Sequence, residues 1–126
     1  MDVPTVLVVD DDDSVREVTG MSLEIVAGWQ VLQANGGRAA LELARRHHPD
    51  AVLLDVMMPE MDGPATLREL RADPATSDIP VVLLTAKAMA GERAELAELA
   101  VQGVLAKPFD PMRLHVELAR LLGWAT

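Results

Sequence analysis

Val52, Leu53 and Leu54 stand in unbroken succession, and their run stops abruptly at a carboxylate, Asp55, with Pro59 and Gly63 close behind it. A strand with one wet face alternates apolar and polar residues. A strand without that alternation is covered on both faces, as strands of parallel sheets are. The stretch therefore reads as a central buried strand with Asp55 at its carboxyl end, the edge at which open α/β sheets bind ligands. Taken alone, Asp55 fits equally a solvated residue that merely ends a strand.

The same punctuation recurs along the chain. Thr5–Val9 is apolar and β-branched and ends in four acids, Asp10, Asp11, Asp12 and Asp13. Residues 81–84 form a further buried run ending in Thr85, and Gly103–Ala106 is a short one ending in Lys107-Pro108. Residues 29–34 supply one more strand, followed by an Asn35-Gly36-Gly37 turn. Between them the spacing predicts helices. The first covers 14–27, with capping-box spacing at Ser14 and Glu17 and an apolar face of Val15, Val18, Met21, Leu23, Ile25 and Val26. The others cover 39–48, stopped by Pro49; 66–72, with Asp62 as N-cap and Pro64 in the first turn; 88–100; and a last helix opened by Asp110-Pro111. Five strands alternating with five helices, joined by connections long enough for crossovers, predict an α/β fold: a doubly wound five-stranded parallel sheet in one domain over 1–126.

Composition narrows the function classes. The chain contains no cysteine, so thiolate metal sites and disulfides are excluded, consistent with a reducing cytoplasm. No apolar run is long enough to span a bilayer and the first residues do not read as an export leader, so no membrane partner is expected. Twenty acids against eleven bases give a net charge of -9, from which direct nucleic-acid binding is not expected.

In a parallel sheet the polar strand ends share one edge, which gathers Asp10, Asp11, Asp55, Thr85 and Lys107. Three carboxylates within about 5 Å repel by a few kcal/mol per pair at an effective dielectric near 20, so the cluster calls for a divalent cation. An all-oxygen site with few protein ligands suits Mg²⁺. Lys107 and Thr85 add a positive charge and a hydroxyl, the groups that a phosphoryl oxygen needs once the acids are neutralised.

The acidic pair after Val8-Val9, the Leu-Leu-Asp-Val-Met-Met-Pro-Glu-Met-Asp-Gly stretch, Leu84-Thr85-Ala86 and Lys107-Pro108-Phe109 resemble the response-regulator receiver domain of two-component signalling, in order and over essentially the whole chain. The resemblance implies the flavodoxin-like strand order 2-1-3-4-5. It implies that Asp55 accepts a phosphoryl group from a sensor histidine kinase or phosphotransfer protein. Asp11 would bind Mg²⁺ directly, Asp10 through water, and Met57 through its backbone carbonyl; Thr85 and Lys107 would contact the phosphoryl oxygens. It makes the protein a signalling module rather than a turnover enzyme, acting on an unknown downstream protein through phosphorylation-dependent contact. Met57 and Lys87 are expected to tune water attack on the aspartyl phosphate. The resemblance departs from the usual pattern at Val104, where many receivers carry Tyr or Phe, so signalling changes are expected in loops 57–63 and 85–93 instead. Two rival readings are a Mg²⁺-dependent phosphohydrolase, because Asp10-Asp11-Asp12 superficially resembles the nucleophile motif of haloacid dehalogenase-like phosphatases, and an interaction module that has lost phosphoryl chemistry.

Plain structural roles are expected elsewhere. His47 and His48 suit a helix C-terminus, as His115 suits a helix. Met57, Met58 and Met61 read as gap-fillers, Asp12 and Asp13 as the start of the first helix, and Glu92, Glu95 and Glu98 as a solvated face.

Overall fold

The computed structural model describes residues 3–86 and 99–124. Its strands are β1 (Thr5–Val9), β2 (Gln30–Ala34), β3 (Ala51–Asp55), β4 (Val81–Thr85) and β5 (Gly103–Ala106). All neighbours pair in parallel, in the order β2-β1-β3-β4-β5. The helices are α1 (Asp13–Met21), which continues as a π-helical segment over Ser22–Val26, α2 (Gly37–His47), α3 (Gly63–Ala72) and α4 (Leu114–Leu122). The doubly wound parallel sheet is as expected, with four helices among the described residues against the five expected. The helix expected over 88–100 lies outside them, apart from Leu99 and Ala100, which sit in a bend.

Each strand of the sheet's centre sends alternate residues to opposite faces, which is why two cores form. Leu7, Val9, Val52, Leu54, Val81 and Leu83 pack with Ala40 and Ala44 of α2 and Leu67 and Leu70 of α3. On the other face Val6, Val8, Leu53, Val82, Leu84 and Leu105 pack with Leu23, Leu114 and Leu118. Full burial of such a side chain is worth about 1.5–3 kcal/mol, so both faces hold the strand tips rigidly. Trp29, His115 and Trp124 close the second face at its β2 end. Trp29 meets Trp124 edge-on at 5.3 Å between ring centroids and His115 at 6.3 Å.

Local chemistry explains most helix ends. Asp62 Oδ1 accepts from the Ala65 amide at 2.8 Å, and Pro64 occupies the first turn of α3, as expected. The first cap differs: Asp12, not Ser14, caps α1, accepting from the Val15 amide at 3.1 Å. An Asp already outside the helix outcompetes a serine inside it, and Asp13 then lies in the first turn where the dipole favours acids. The last helix starts later than Asp110-Pro111. Asp110 Oδ1 takes the Met112 amide at 2.9 Å and its carbonyl takes the Arg113 amide, a turn that postpones α4 to Leu114.

The expected apolar face of the first helix holds at Leu23, which is fully buried, and in part at Val15 and Val26, which are half-buried, but it fails at three positions. Val18, Met21 and Ile25 are 49%, 56% and 72% exposed, whereas Thr19, Gly20 and Ser22 are buried in their place. Small residues let the helix approach the sheet closely. A Cβ on Gly20 would stand 2.9 Å from Nε2 of Gln33. Thr19 Oγ1 satisfies itself on the Val15 carbonyl at 2.7 Å, and Ser22 Oγ donates to the Pro111 carbonyl. Among the described residues no helix is long and apolar enough to cross a membrane.

Candidate functional site

Strand register sets the depth of each functional side chain. Val9 pairs with Leu54, so Asp10 comes level with Asp55; Asp55 pairs with Leu84, so Thr85 stands one residue beyond it. Thr85 pairs with Ala106, which places Lys107 just past the end of β5. β5 is separated from β3 by β4, roughly 10 Å across the sheet at the usual strand spacing, a gap that only a long side chain bridges. Lys107 bridges it. Its Nζ lies 2.9 Å from Asp10 Oδ2 and 3.1 Å from Asp55 Oδ1.

Asp10, Asp55 and Thr85 are 2%, 4% and 1% exposed, while Asp11 is open to solvent. One oxygen from each of Asp10, Asp11 and Asp55 lies within 4.8 Å of the other two. At that separation each pair repels by about 3 kcal/mol at an effective dielectric near 20. Burial, reinforced by the charges of Asp10 and Asp11, pushes the Asp55 carboxyl above its ordinary value, against the opposing pull of Lys107. Burial also works against the Lys107 ammonium, but its hydrogen bonds to Asp10 and Asp55 outweigh that, and its pKa is raised. One ammonium leaves the three carboxylates two charges short of neutrality. The donor set is all oxygen, part buried and part open, which fits a hard cation of the Mg²⁺ type.

The loop after β3 is pressed against the site. The Gly63 amide donates to the Val56 carbonyl at 3.0 Å, and a Cβ at Gly63 would stand 2.7 Å from the Asp55 carbonyl oxygen. Met58 in this loop is buried in the core, as expected of a gap-filler, whereas Met57 is 59% exposed and fills no gap. Asp12 and Asp13 belong to the start of α1, and Asp12 donates its amide to Asp10 Oδ1 at 2.9 Å. Val104 is half-buried against the first core, opposite Leu83 in register. Lys87, Glu92, Glu95 and Glu98 lie outside the described residues, as does most of loop 85–93.

Sequence motifs did not single out Arg16. Its Nη1 donates to the Asp10 carbonyl at 3.0 Å, Nη2 pairs with Asp13 at 2.8 Å and Nε donates to Gln33 Oε1 at 3.2 Å. The available signal is a cation one turn into a helix that opens on four acids.

A solved structure to which the chain is similar is the receiver domain of the sensor histidine kinase PA1611 from Pseudomonas aeruginosa, described with magnesium coordinated in its active-site cleft. It has a TM-score of 0.84 and 31% identity, covering 97% of this chain and 99% of that one. Among curated relatives, the probable transcriptional regulator ycf27 of Porphyridium aerugineum is 37% identical over 93% of this chain and 47% of its own length. The DNA-binding dual master transcriptional regulator RpaA of Synechocystis is 34% identical over 94% of this chain and 49% of its own. The chain thus spans about half the length of the curated relatives it matches. These relatives overturn the expectation of no nucleic-acid partner. A net charge of -9 describes the surface of this segment, and it does not govern what proteins twice as long bind. Residues 6–119 match the response regulator receiver domain family. With the sheet order, the acid triad and the bridging lysine, that match means that this chain belongs to the response regulator receiver domains of two-component systems.

Proposed function

We propose that residues 1–126 act as a Mg²⁺-dependent phosphoryl acceptor, with Asp55 as the nucleophile. The observation that carries this reading is the Lys107 ammonium seated between the buried carboxylates of Asp10 and Asp55. A carboxylate oxygen of Asp55 attacks the phosphorus of a phosphohistidine on a sensor kinase or phosphotransfer protein. The new P–O bond forms as the P–N bond breaks, and the imidazole leaves with the bonding pair and takes up a proton. Asp10, Asp11 and the Met57 carbonyl would hold Mg²⁺, which when bound neutralises the phosphoryl oxygens and the acids around them. Lys107 pulls against the burial that disfavours ionised Asp55 and then contacts the phosphoryl group, and the Thr85 hydroxyl, from the end of the neighbouring strand, donates to it.

The protein is then a switch rather than a turnover enzyme: it catalyses its own phosphorylation and slow dephosphorylation, in the cytoplasm where kinase and nucleotide are found. Met57 is exposed and cannot accept a proton, so nothing at that position activates water and the acyl phosphate is long-lived. By analogy with RpaA, named as DNA-binding, the phosphorylated domain bears on transcription, with nucleic acid as an eventual target.

Intact-mass measurement after treatment with acetyl phosphate and Mg²⁺ tests the reading. One added phosphoryl group is expected, with none in Asp55→Asn and none in chelator. An equal gain by Asp55→Asn would displace Asp55 from the mechanism, and steady hydrolysis of a generic phosphate ester would favour a phosphohydrolase.

A further inference from the structure

Arg16 has only 14% of its side chain exposed, and each of its three nitrogens has a defined acceptor on a different element. Nη1 reaches the Asp10 carbonyl at the end of β1, Nη2 the Asp13 carboxylate in the first turn of α1, and Nε the Gln33 side chain on β2. Gln33 is set in turn by the closeness of Gly20 on α1, where any side chain would crowd its amide. The guanidinium is planar and its donors are fixed in direction, so three acceptors around it define an orientation.

The carbonyl that Arg16 holds belongs to the peptide joining Asp10 to Asp11. That peptide links the Cα atoms bearing the buried carboxylate and the exposed one, so an uncompensated change of ψ at Asp10 or φ at Asp11 would swing the two carboxylates out of convergence on Asp55. The Asp10 amide is fixed on the β2 side by the Ala34 carbonyl at 3.2 Å, and its side chain by the Asp12 amide on Oδ1 and Lys107 on Oδ2, so on the Asp11 side its backbone is tied through the carbonyl that Arg16 holds, and Mg²⁺ would compete with Lys107 for the carboxylate oxygens. We propose that Arg16 is a positioning residue for the divalent cation, orienting the Asp10–Asp11 peptide so that both carboxylates converge with Asp55. The inference rests on the reading of the triad as a Mg²⁺ site.

Positioning and simple electrostatics have opposite signs here. A guanidinium near a dication repels it, so if Arg16 acted by charge alone, neutralising it would tighten Mg²⁺ binding. If it acts by positioning, the same change weakens binding, and partners one layer out from a metal typically contribute about 10- to 100-fold in affinity. Calorimetric titration with MgCl₂ of wild type, Arg16→Met, Arg16→Lys and Gln33→Leu distinguishes them. Arg16→Met is expected to bind about tenfold more weakly. Arg16→Lys, which keeps the charge but loses the fork, should fall below wild type as well. Gln33→Leu, altered at an exposed strand position, should show a smaller loss and covers the case in which Arg16→Met does not fold.

In metal-free protein the Asp11 amide resonance should move in Arg16→Met and Gln33→Leu, because the peptide has been released. Unchanged or tighter Mg²⁺ binding by Arg16→Met, or by Gln33→Leu if that variant alone folds, overturns the proposal while leaving the metal site standing. Failure of wild type itself to bind Mg²⁺ removes the metal reading and this inference with it.

Discussion

The two ends of the sheet carry ion pairs of nearly the same length in very different surroundings. At the carboxyl end Lys107 lies 2.9 Å from Asp10 and 3.1 Å from Asp55, with those carboxylates 3% and 5% exposed. At the amino end His48 lies 3.0 Å from Asp78 and Arg45 lies 2.8 Å from Asp73, with the histidine and its aspartate 54% and 70% exposed. Contact distance therefore says little about what a pair does. Water screens the second group so that it merely ties α2 to the segment before β4, whereas burial leaves the first group unneutralised and receptive to a cation.

The largest effect in this contrast should come from breaking the buried pair. Lys107→Met leaves Asp10 and Asp55 facing each other without a counter-charge, a change that typically costs about 3 kcal/mol or more. Urea unfolding in chelator should show that loss, and saturating Mg²⁺ should recover much of it, since a ligand at a hundredfold excess over its Kd stabilises by about 2.7 kcal/mol. A loss below about 1 kcal/mol would mean that solvent already screens the site as it does the other end.

The next effect is in pH. The folded protein holds the Asp55 pKa above its ordinary value, so the fold opposes ionisation of this group. Its contribution to metal-free stability is complete below the ordinary carboxylate pKa and is lost as pH rises through the folded value. Asp55→Asn should accordingly melt higher than wild type at neutral pH in chelator, with the gap closing toward about pH 4. A gap that did not change with pH would assign the difference to packing rather than charge.

The smallest effect belongs to the exposed end. The hydrogen bond to Asp78 raises the His48 pKa, and the bond to His48 lowers that of Asp78. The histidine stabilises the fold below its ordinary value, and that contribution disappears as pH rises through its folded value. The aspartate contribution disappears as pH falls through its own lowered value. The tie is thus strongest between the two ranges. His48→Ala should give a small loss of melting temperature at about pH 6 and almost none at about pH 8. A large loss at both would show that the left-handed backbone at His48, φ 45°, matters more than its imidazole.

Strand tips were legible in the sequence because each is an apolar run stopped by a polar residue, and parallel pairing then brings Asp10, Asp55, Thr85 and Lys107 to one edge. What a pattern of residue types does not carry is reach. Nothing in Lys107-Pro108 states that its ammonium crosses β4 to touch two carboxylates. The misread face of α1 has a related cause. Hydrophobic periodicity marks Val18, Met21 and Ile25, but the helix is close-packed through Thr19, Gly20 and Ser22, whose small size rather than their hydropathy lets them face the sheet. Arg16 went unmarked because two of its three acceptors are a backbone carbonyl and a glutamine distant in sequence, partners that a motif does not record.

The chain has two tryptophans, and both lie in the aromatic cluster at the β2 end of the second core, one just before β2 and the other just after α4. The molecule therefore has a single optical vantage point, with neither indole among the groups gathered at the acid triad. Intrinsic fluorescence will be blind to events confined to Asp10, Asp11 and Asp55. Any emission change on adding Mg²⁺ or a phosphoryl donor is a report that α4 or the β2 end has moved, so a cuvette measurement separates local occupancy of the site from its transmission across the sheet.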